Sequence, residues 1–596
     1  MYSSLGNVQV LISLLKKYNI RHVVASAGTR HTPFIHSLEQ DDFFHTYSVV
    51  DERSASFFAL GIIEEKKEPV AICCTSGTAA ANYVSGANEA FYQQLPLLIL
   101  TADRNHYYKF QQEEQMIPQE HLYSDVCKKV VTLPHVRDEK DFWYASRICN
   151  EALLELTTGE NGPVHINYIV ENDYPINQGI VRFEKETLPN IKRIDRLSLE
   201  DSNEKWKSYA EKFKNSKILI VYGQNTPLSD AEIKMIEEFT NKYNCVISTD
   251  IISNLHVNHS INTYSICKTL NQEEKNELSP DILITMNANS ISTVKNVFAP
   301  MKENFQHIHV SSKGEVSDPF KCLPDVIACS PITFFKKFAE LGNDNLPEHS
   351  YYNLWNKYYQ RVGQNGLLNN EELNYSALYV AQQLISKMPN NSLFHIANSM
   401  SIRMAAFFEP KEDINVYCNR GTNGIDGSMS AFIGQAHVSG KQSFLLIGDL
   451  SFFYDMNALW NKYVGKNVRI VVMNNSGGAI FYNYPGENNI PTIGKHIAAE
   501  HTTSIKDWVV SRGFKYLSAT NKEEVNSAIE EMVKQDSDSP IILEAFTEKH
   551  EDINAFRSIL EPYQSKEKET IKQKIWHNIP EGMAKDVIRG LIKKGQ

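Results

Sequence analysis

Nowhere in this chain do two cysteines stand in a Cys-x-x-Cys pair. The nine that occur are scattered, and Cys73-Cys74 lies inside an apolar run. That pattern excludes a disulfide framework and a zinc ribbon, and it predicts reduced thiols in the cytoplasm. No lysine- or arginine-rich block dominates any segment, and 60 basic residues face 71 acidic ones for a net charge of −11. Nucleic acid is therefore not an expected partner. No apolar run approaches the roughly 20 residues that span a bilayer, so no membrane partner is expected either. The opening MYSSLGNVQVLISLLKKYNI lacks a basic start and a cleavage pattern, and reads as an amphipathic helix instead of a signal peptide. Short-period repeats and low-complexity tracts are also missing.

What remains is an ordinary globular composition, 42% hydrophobic and 22% charged. At 596 residues the chain is too long for one core. Three blocks alternate strand-like and helix-like patterns. The first holds HVVASAG, PVAICCTSG and PLLILTADR. The second holds KILIVYGQ, CVISTDII, DILITMN and HIHVSS. SLFHIANS, INVYCNRG, SFLLIGDL, VRIVVMNN and PIILEAFT make up the third. Short β-branched runs ending in turn residues, with helices between them, predict parallel sheets covered on both faces. Polar stretches near 184–201 and 341–352 read as linkers. The expected division is 1–185, 200–342 and 355–560, with 561–596 as a charged extension holding a helix over 584–594. The fold class is α/β, with three doubly wound parallel-sheet domains.

The most informative segment is SFLLIGDLSFFYDMNALWNKYVGKNVRIVVMNNSGGAIF. An apolar strand runs into Gly448-Asp449, a helix-like stretch follows, and a second strand ends at Asn474-Asn475. A carboxylate and an amide oxygen thus sit at the ends of two successive strands of one βαβ unit, where ligands bind. Two hard oxygens beside a diphosphate suit Mg²⁺. The plain alternative is a turn Asp and a turn Asn closing ordinary loops. In the first block, HTYSVVDERSASFFALGIIEE puts Glu52 just after a strand, with Asp51 as a helix cap and Ala55, Phe58 and Ile62 at helical spacing. Taken alone, Glu52 is a helix-start glutamate favouring the macrodipole.

Seven motifs then occur in order: AGTRHTP, DER, TSGTAAAN, LTADR, NRGTNGIDG, GDLSFFYDMNAL and NNSGGAIF. Together they resemble the thiamine-diphosphate-dependent 2-succinyl-5-enolpyruvyl-6-hydroxy-3-cyclohexene-1-carboxylate synthases of the menaquinone pathway. Leu450, where the wider superfamily usually has Gly, supports that subfamily. The resemblance reaches about residue 560 and is weakest in the middle block. It implies pyrimidine-binding, central and diphosphate-binding domains. It also implies decarboxylation of 2-oxoglutarate and carboligation to isochorismate, with thiamine diphosphate and Mg²⁺ or Mn²⁺ as cofactors. Glu52 matches the activating glutamate. Asp449, Asn475 and the Gly477 carbonyl match the metal ligands. Gly448 and Ser451 match the diphosphate loop, and Ile425 matches the apolar wedge that bends the cofactor. Arg30, Arg104, Gln115, Lys295, Ser399, Arg403 and Arg420 match polar residues of the substrate pocket. Ile480 and Phe481 match its apolar wall. Arg30, Arg403 and Arg420 are the arginines expected closest to the chemistry, since a guanidinium fork accepts a carboxylate bidentately. The family pattern further implies a homodimer or homotetramer, with Glu52 of one subunit facing Asp449 of the other.

Four positions depart from the family. His31 replaces a Ser, Glu114 an Asn, Asn296 a basic residue and Tyr484 a Leu. All spare the cofactor and touch the acceptor side. His31 raises the expectation of a proton donor, against that of a hydrogen-bonded substitute for Ser. Alternatives are an acetolactate-synthase-like enzyme, a simple 2-oxo acid decarboxylase, a relative acting in polysaccharide or secondary-metabolite synthesis, and a non-catalytic paralogue. The arginine set argues against a small neutral acceptor. The middle block shows no GxGxxG after its strands.

Overall fold

The computed structural model describes residues 1–170, 182–287, 289–291, 293–342, 348–368, 370, 372–483 and 490–564. Tyr484, the helix expected over 584–594 and most of the 561–596 extension lie outside the described residues. The chain divides into two compact units, one of residues 1–201 and 307–329, the other of 202–306 and 330–596. The segment expected as a central domain is thus shared between them.

The first unit carries a six-stranded parallel sheet. Its spatial order is His45–Ser48, His22–Ala25, Val70–Cys74, Leu97–Asp103, Val164–Ile169, Lys129–Leu133. Every apolar run of the first block is one of these strands. Alternate side chains point to opposite faces, so Val70, Ile72 and Cys74 enter one core while Ala71 and Cys73 enter the other. Two-sided burial explains the unbroken apolar runs, each fully buried large side chain contributing about 1.5–3 kcal/mol. The stretch 184–201, read as a polar linker, contributes strands of its own. Phe183–Lys185 pairs with Tyr2–Ser3, and Arg196–Ser198 pairs with Asp325–Ala328. Such short strands are held by main-chain pairing and leave no apolar pattern to read.

The second unit repeats the plan. Its six-stranded sheet runs Asn415–Tyr417, Leu393–Ile396, Ser443–Gly448, Val468–Asn474, Ile541–Phe546, Lys515–Ala519, all parallel. Both sheets follow the chain order 2-1-3-4-6-5. The same unit holds the parallel strands Ser260–Asn262, Cys245–Thr249, Ile218–Tyr222 and Ile282–Met286 of the middle block. Parallel strands put all their carboxyl ends on one edge, where loops converge into a ligand crevice. Among the described residues no helix is long and apolar enough to cross a membrane.

Candidate active site

Strand register places the Gly-Asp and Asn-Asn motifs side by side. Gly448 pairs with Met473, so Asp449 and Asn474 leave adjacent strands at the same level. Asp449 opens the short helix Asp449–Tyr454 and is 3% exposed. Its Oδ1 accepts the Leu450 N–H at 2.6 Å, and its Oδ2 accepts the Gly477 N–H at 2.9 Å. The His501 imidazole lies 3.2 Å from the same Oδ2. Asn475 is also buried, and its Nδ2 donates to Asp552 at 2.8 Å. With the amide nitrogen engaged, the amide oxygen is the atom left to act as a ligand. Asp552 further accepts the Ala377 N–H at 2.7 Å and the Thr547 hydroxyl at 2.9 Å. Burial pushes its pKa up, and these donors oppose the shift. Gly477 has φ of +143°, and a Cβ there would lie 2.8 Å from the Ala498 carbonyl oxygen. Only glycine fits, which is why the loop can turn its backbone toward Asp449.

These residues border one cavity. Asp449, Asn475 and Gly477 line it beside Gly448 and Ser451, with Ile425, Ile480 and Phe481 forming apolar wall and Ser399 at its edge. The Ser451 hydroxyl donates to the Ile425 carbonyl, tying the wedge position to the diphosphate loop. One carboxylate, one amide oxygen and a glycine-rich loop beside apolar side chains fit a hard divalent cation holding a diphosphate, with an organic ring against the wall. The donor set therefore suits the group expected from the sequence.

Next to the cavity, Ser399 has φ of +68°, a strained setting for a serine. It caps the helix Met400–Ala405, and the Arg403 guanidinium returns to donate to its carbonyl at 2.8 Å. The one-turn spacing of Ser399 and Arg403 is thus realised as a side-chain-to-backbone bond. Arg420 donates to Asn398 at 3.1 Å, while its buried Nε finds no acceptor among the described residues. Burial lowers the Arg420 pKa, and Arg403 repels it further. Lys295 is the second residue of the helix Val294–Phe298 and is exposed, with no ion pair among the described residues.

In the first unit, Glu52 starts the helix Glu52–Lys66, with Asp51 capping it by accepting the Ser54 N–H. One Glu52 carboxylate oxygen accepts from Asn82 at 2.9 Å. Arg30 donates to the Val170 carbonyl at 2.8 Å, and burial, with Arg104 adding repulsion, pulls its pKa down to about 10. Arg104 keeps two buried guanidinium nitrogens without an acceptor among the described residues. Its near anion is Glu113 at 3.8 Å, not the Glu114 singled out in the sequence. Gln115, at φ of +54°, packs its backbone against Gly77, where a Cβ would lie 3.1 Å from the Gln115 carbonyl oxygen. His31 is buried and its ring bonds the Cys74 backbone, while burial pulls its pKa down to about 4. It is a neutral imidazole at physiological pH. Asn296 is exposed beside Lys295.

Sequence reasoning missed His501, Asp552 and Lys268. Asp552 and His501 lie 77 and 52 residues from the ligands they touch, outside any local motif. Lys268 is enclosed by the rings of Tyr264, Phe556 and Phe407 at 4.8, 5.1 and 5.8 Å. Its pKa is lowered by burial and then by Arg403. A lysine in a short helix gives no sequence signal of such a setting.

The chain is similar in sequence to known proteins. The family model for the thiamine pyrophosphate enzyme N-terminal TPP binding domain matches residues 7–122. A 2-succinyl-5-enolpyruvyl-6-hydroxy-3-cyclohexene-1-carboxylate synthase of Phocaeicola vulgatus is 37% identical over 566 residues, covering 94% of this chain and 98% of its own. That of Bacteroides thetaiotaomicron is 35% identical, over 93% and 98%. The Flavobacterium psychrophilum protein of the same name is 31% identical, over 92% and 97%.

Proposed function

The chain belongs to the 2-succinyl-5-enolpyruvyl-6-hydroxy-3-cyclohexene-1-carboxylate synthase family of thiamine-diphosphate enzymes, and from that membership we propose that it decarboxylates 2-oxoglutarate and joins the four-carbon unit to isochorismate. The observation that carries the reading is the pairing of Asp449 and Asn475 at the ends of adjacent strands, both lining one cavity. Asp449, the Asn475 side-chain oxygen and the Gly477 carbonyl would hold Mg²⁺, and Gly448 and Ser451 would meet the diphosphate. Thiamine diphosphate, once bound, supplies the electron sink for loss of CO₂ from a 2-oxo acid.

The chain's own residues do the rest. Glu52 keeps one carboxylate oxygen on Asn82 and offers the other as the group that holds a proton at the cofactor's aminopyrimidine. Ile425, in the cavity wall, would pack against the bound cofactor. Arg403, Arg420 and Ser399 receive the donor acid, and the orphaned Arg420 Nε is a ready carboxylate donor. Arg30, Arg104 and Gln115 receive the acceptor, with Lys295 adding charge. Arg104 Nε, without an acceptor among the described residues, suits a carboxylate in the same way. Ile480 and Phe481 exclude water from the reacting centre.

Val50, Phe57, Phe58, Phe91 and Tyr92 are exposed apolar side chains of the first unit. They support a homodimer or a dimer of dimers. Nine free cysteines support a cytoplasmic setting.

The test mixes purified protein, thiamine diphosphate and Mg²⁺ with a panel of 2-oxo acids, with and without isochorismate. CO₂ release from 2-oxoglutarate, and a carboligation product by mass spectrometry only when isochorismate is added, are expected. Release from pyruvate but not from 2-oxoglutarate would overturn the donor assignment.

A further inference from the structure

We propose that His501 is a positioning residue of the metal centre, fixing the orientation in which Asp449 meets its cation. The proposal rests on the reading of Asp449 as a metal ligand. Three N–H groups converge on this carboxylate. Leu450 N–H reaches Oδ1 at 2.6 Å, and Gly477 N–H and His501 Nε2 reach Oδ2 at 2.9 and 3.2 Å. An ionised carboxylate has about four lone-pair directions, so about one is left for a cation.

The state of the imidazole follows from its other nitrogen. His501 Nδ1 accepts the Thr503 N–H at 3.1 Å, so the ring proton sits on Nε2 and is donated to Asp449. With both nitrogens engaged, the ring is not itself a ligand. It stands edge-on to Phe453, centroids 5.2 Å apart and planes at 89°, which blocks rotation. The backbone adds a second tie. His501 N–H donates to the Ser476 carbonyl at 3.2 Å, and Gly478 N–H donates to the Ala498 carbonyl at 2.6 Å. One residue therefore grips the Asp449 loop by its side chain and the Asn475–Gly477 loop by its main chain. Its side chain is not part of the cavity lining and reaches the site through Asp449. Outer-shell hydrogen bonds of this kind typically govern metal affinity by 10–100-fold.

The experiment follows thiamine diphosphate binding to the full chain by calorimetry across a Mg²⁺ series, for the wild type, His501→Phe, His501→Gln and Asp449→Ala. Phenylalanine keeps the ring beside Phe453 and removes the donor. Glutamine restores an N–H near the Nε2 position. H501F is expected to raise the half-saturating Mg²⁺ concentration about 10–100-fold, with full stoichiometry at excess Mg²⁺. H501Q is expected to recover most of that loss. An H501F midpoint equal to wild type, while D449A has lost binding, overturns the role of His501 alone. Loss in H501F that neither excess Mg²⁺ nor the glutamine variant repairs assigns it a merely structural part and also overturns the proposal. D449A binding like the wild type overturns the site reading beneath it.

Discussion

Asp318 and Asp449 are both buried and both meet a histidine, His307 at 3.7 Å and His501 at 3.2 Å. By residue type Asp318 looks the better metal site, since Cys322 brings a third ligand-type atom and all three lie within 4.8 Å of one another. Like Asp449, its carboxylate accepts three N–H donors. Trp143 Nε1 and the Leu323 N–H reach Oδ2 at 2.7 and 2.9 Å, and the Cys322 N–H reaches Oδ1 at 3.1 Å. Burial alone would raise its pKa, but the nearby His307 side chain, the Trp143 N–H and two main-chain N–H groups hold it down to about 2. Asp449 instead borders a cavity beside an amide oxygen. The arginines divide in the same way. Arg469 is 1% exposed and donates to four carbonyls, those of Met532, Lys466, Val468 and Lys534. Arg420 leaves a buried N–H without an acceptor among the described residues. Bonding capacity left open beside a cavity, more than residue identity, separates a site from a strut.

The sharpest way to break this contrast is to remove each aspartate. Asp449→Ala is expected to abolish Mg²⁺-dependent thiamine diphosphate binding in calorimetry, with little change in the melting temperature of the cofactor-free protein. Asp318→Ala should do the reverse. Stripping a buried charged hub costs about 3–5 kcal/mol, read by denaturant unfolding, while the folded fraction still binds cofactor. If the two variants behaved alike, the distinction would fail. Glu52→Gln is next in size. It keeps the shape and removes the charge, so turnover should fall on the order of a hundredfold while calorimetry shows cofactor binding largely intact.

The arginines provide a smaller, matched pair. Arg403→Met and Arg420→Met should each cost about 1.5–3 kcal/mol, the scale of a charge-assisted hydrogen bond, seen in kcat/KM for 2-oxoglutarate at unchanged thermal stability. Arg469→Met should lower the melting temperature and leave kcat/KM alone.

Acid sharpens the comparison further. Burial pulls His31, His309 and His395 down to about 4 and His165 to about 3. Their folded pKa values lie below the unfolded value near 6.5, so the unfolded chain takes protons first. Stability is full above that value and declines as pH falls toward 4, by about 2 kcal/mol per histidine at pH 5. Asp318 has the usual carboxylate sign. Its contribution persists above its unfolded pKa near 3.8 and disappears only as pH falls through about 2. Unfolding midpoints measured between pH 7 and 3 should therefore drop before any carboxylate of this kind is protonated.

The strands that form the two six-stranded sheets were legible wherever burial on both faces wrote an apolar run, as in Val70–Cys74 or Val468–Asn474. Val164–Ile169 escaped because its polar side chains are satisfied inside the sheet. His165 and Asn167 both meet the Thr101 hydroxyl, at 2.7 and 2.8 Å. Short strands such as Arg196–Ser198 escaped for want of any pattern. At the site, the residues that line the cavity stood in contiguous motifs and could be read. Asp552 and His501 meet Asn475 and Asp449 across long chain separations, and those contacts exist only once the chain has folded. The pairing of Arg104 with Glu113 had no sequence signal, because a loop with left-handed turns at Phe110, Gln112 and Gln115 does not keep a readable face.

The bond from Asn475 to Asp552 also has a consequence for how the protein is made. Translation delivers residue 475 well before residue 552, and the strand Ile541–Phe546 that pairs beside Val468–Asn474 arrives late as well. A chain still on the ribosome can assemble the first unit's sheet and much of the second, as domains fold from the amino end. It cannot yet lock the amide whose oxygen would face the metal. The segment that carries Asp552 must therefore be in place before the Asn475 amide is held in this orientation.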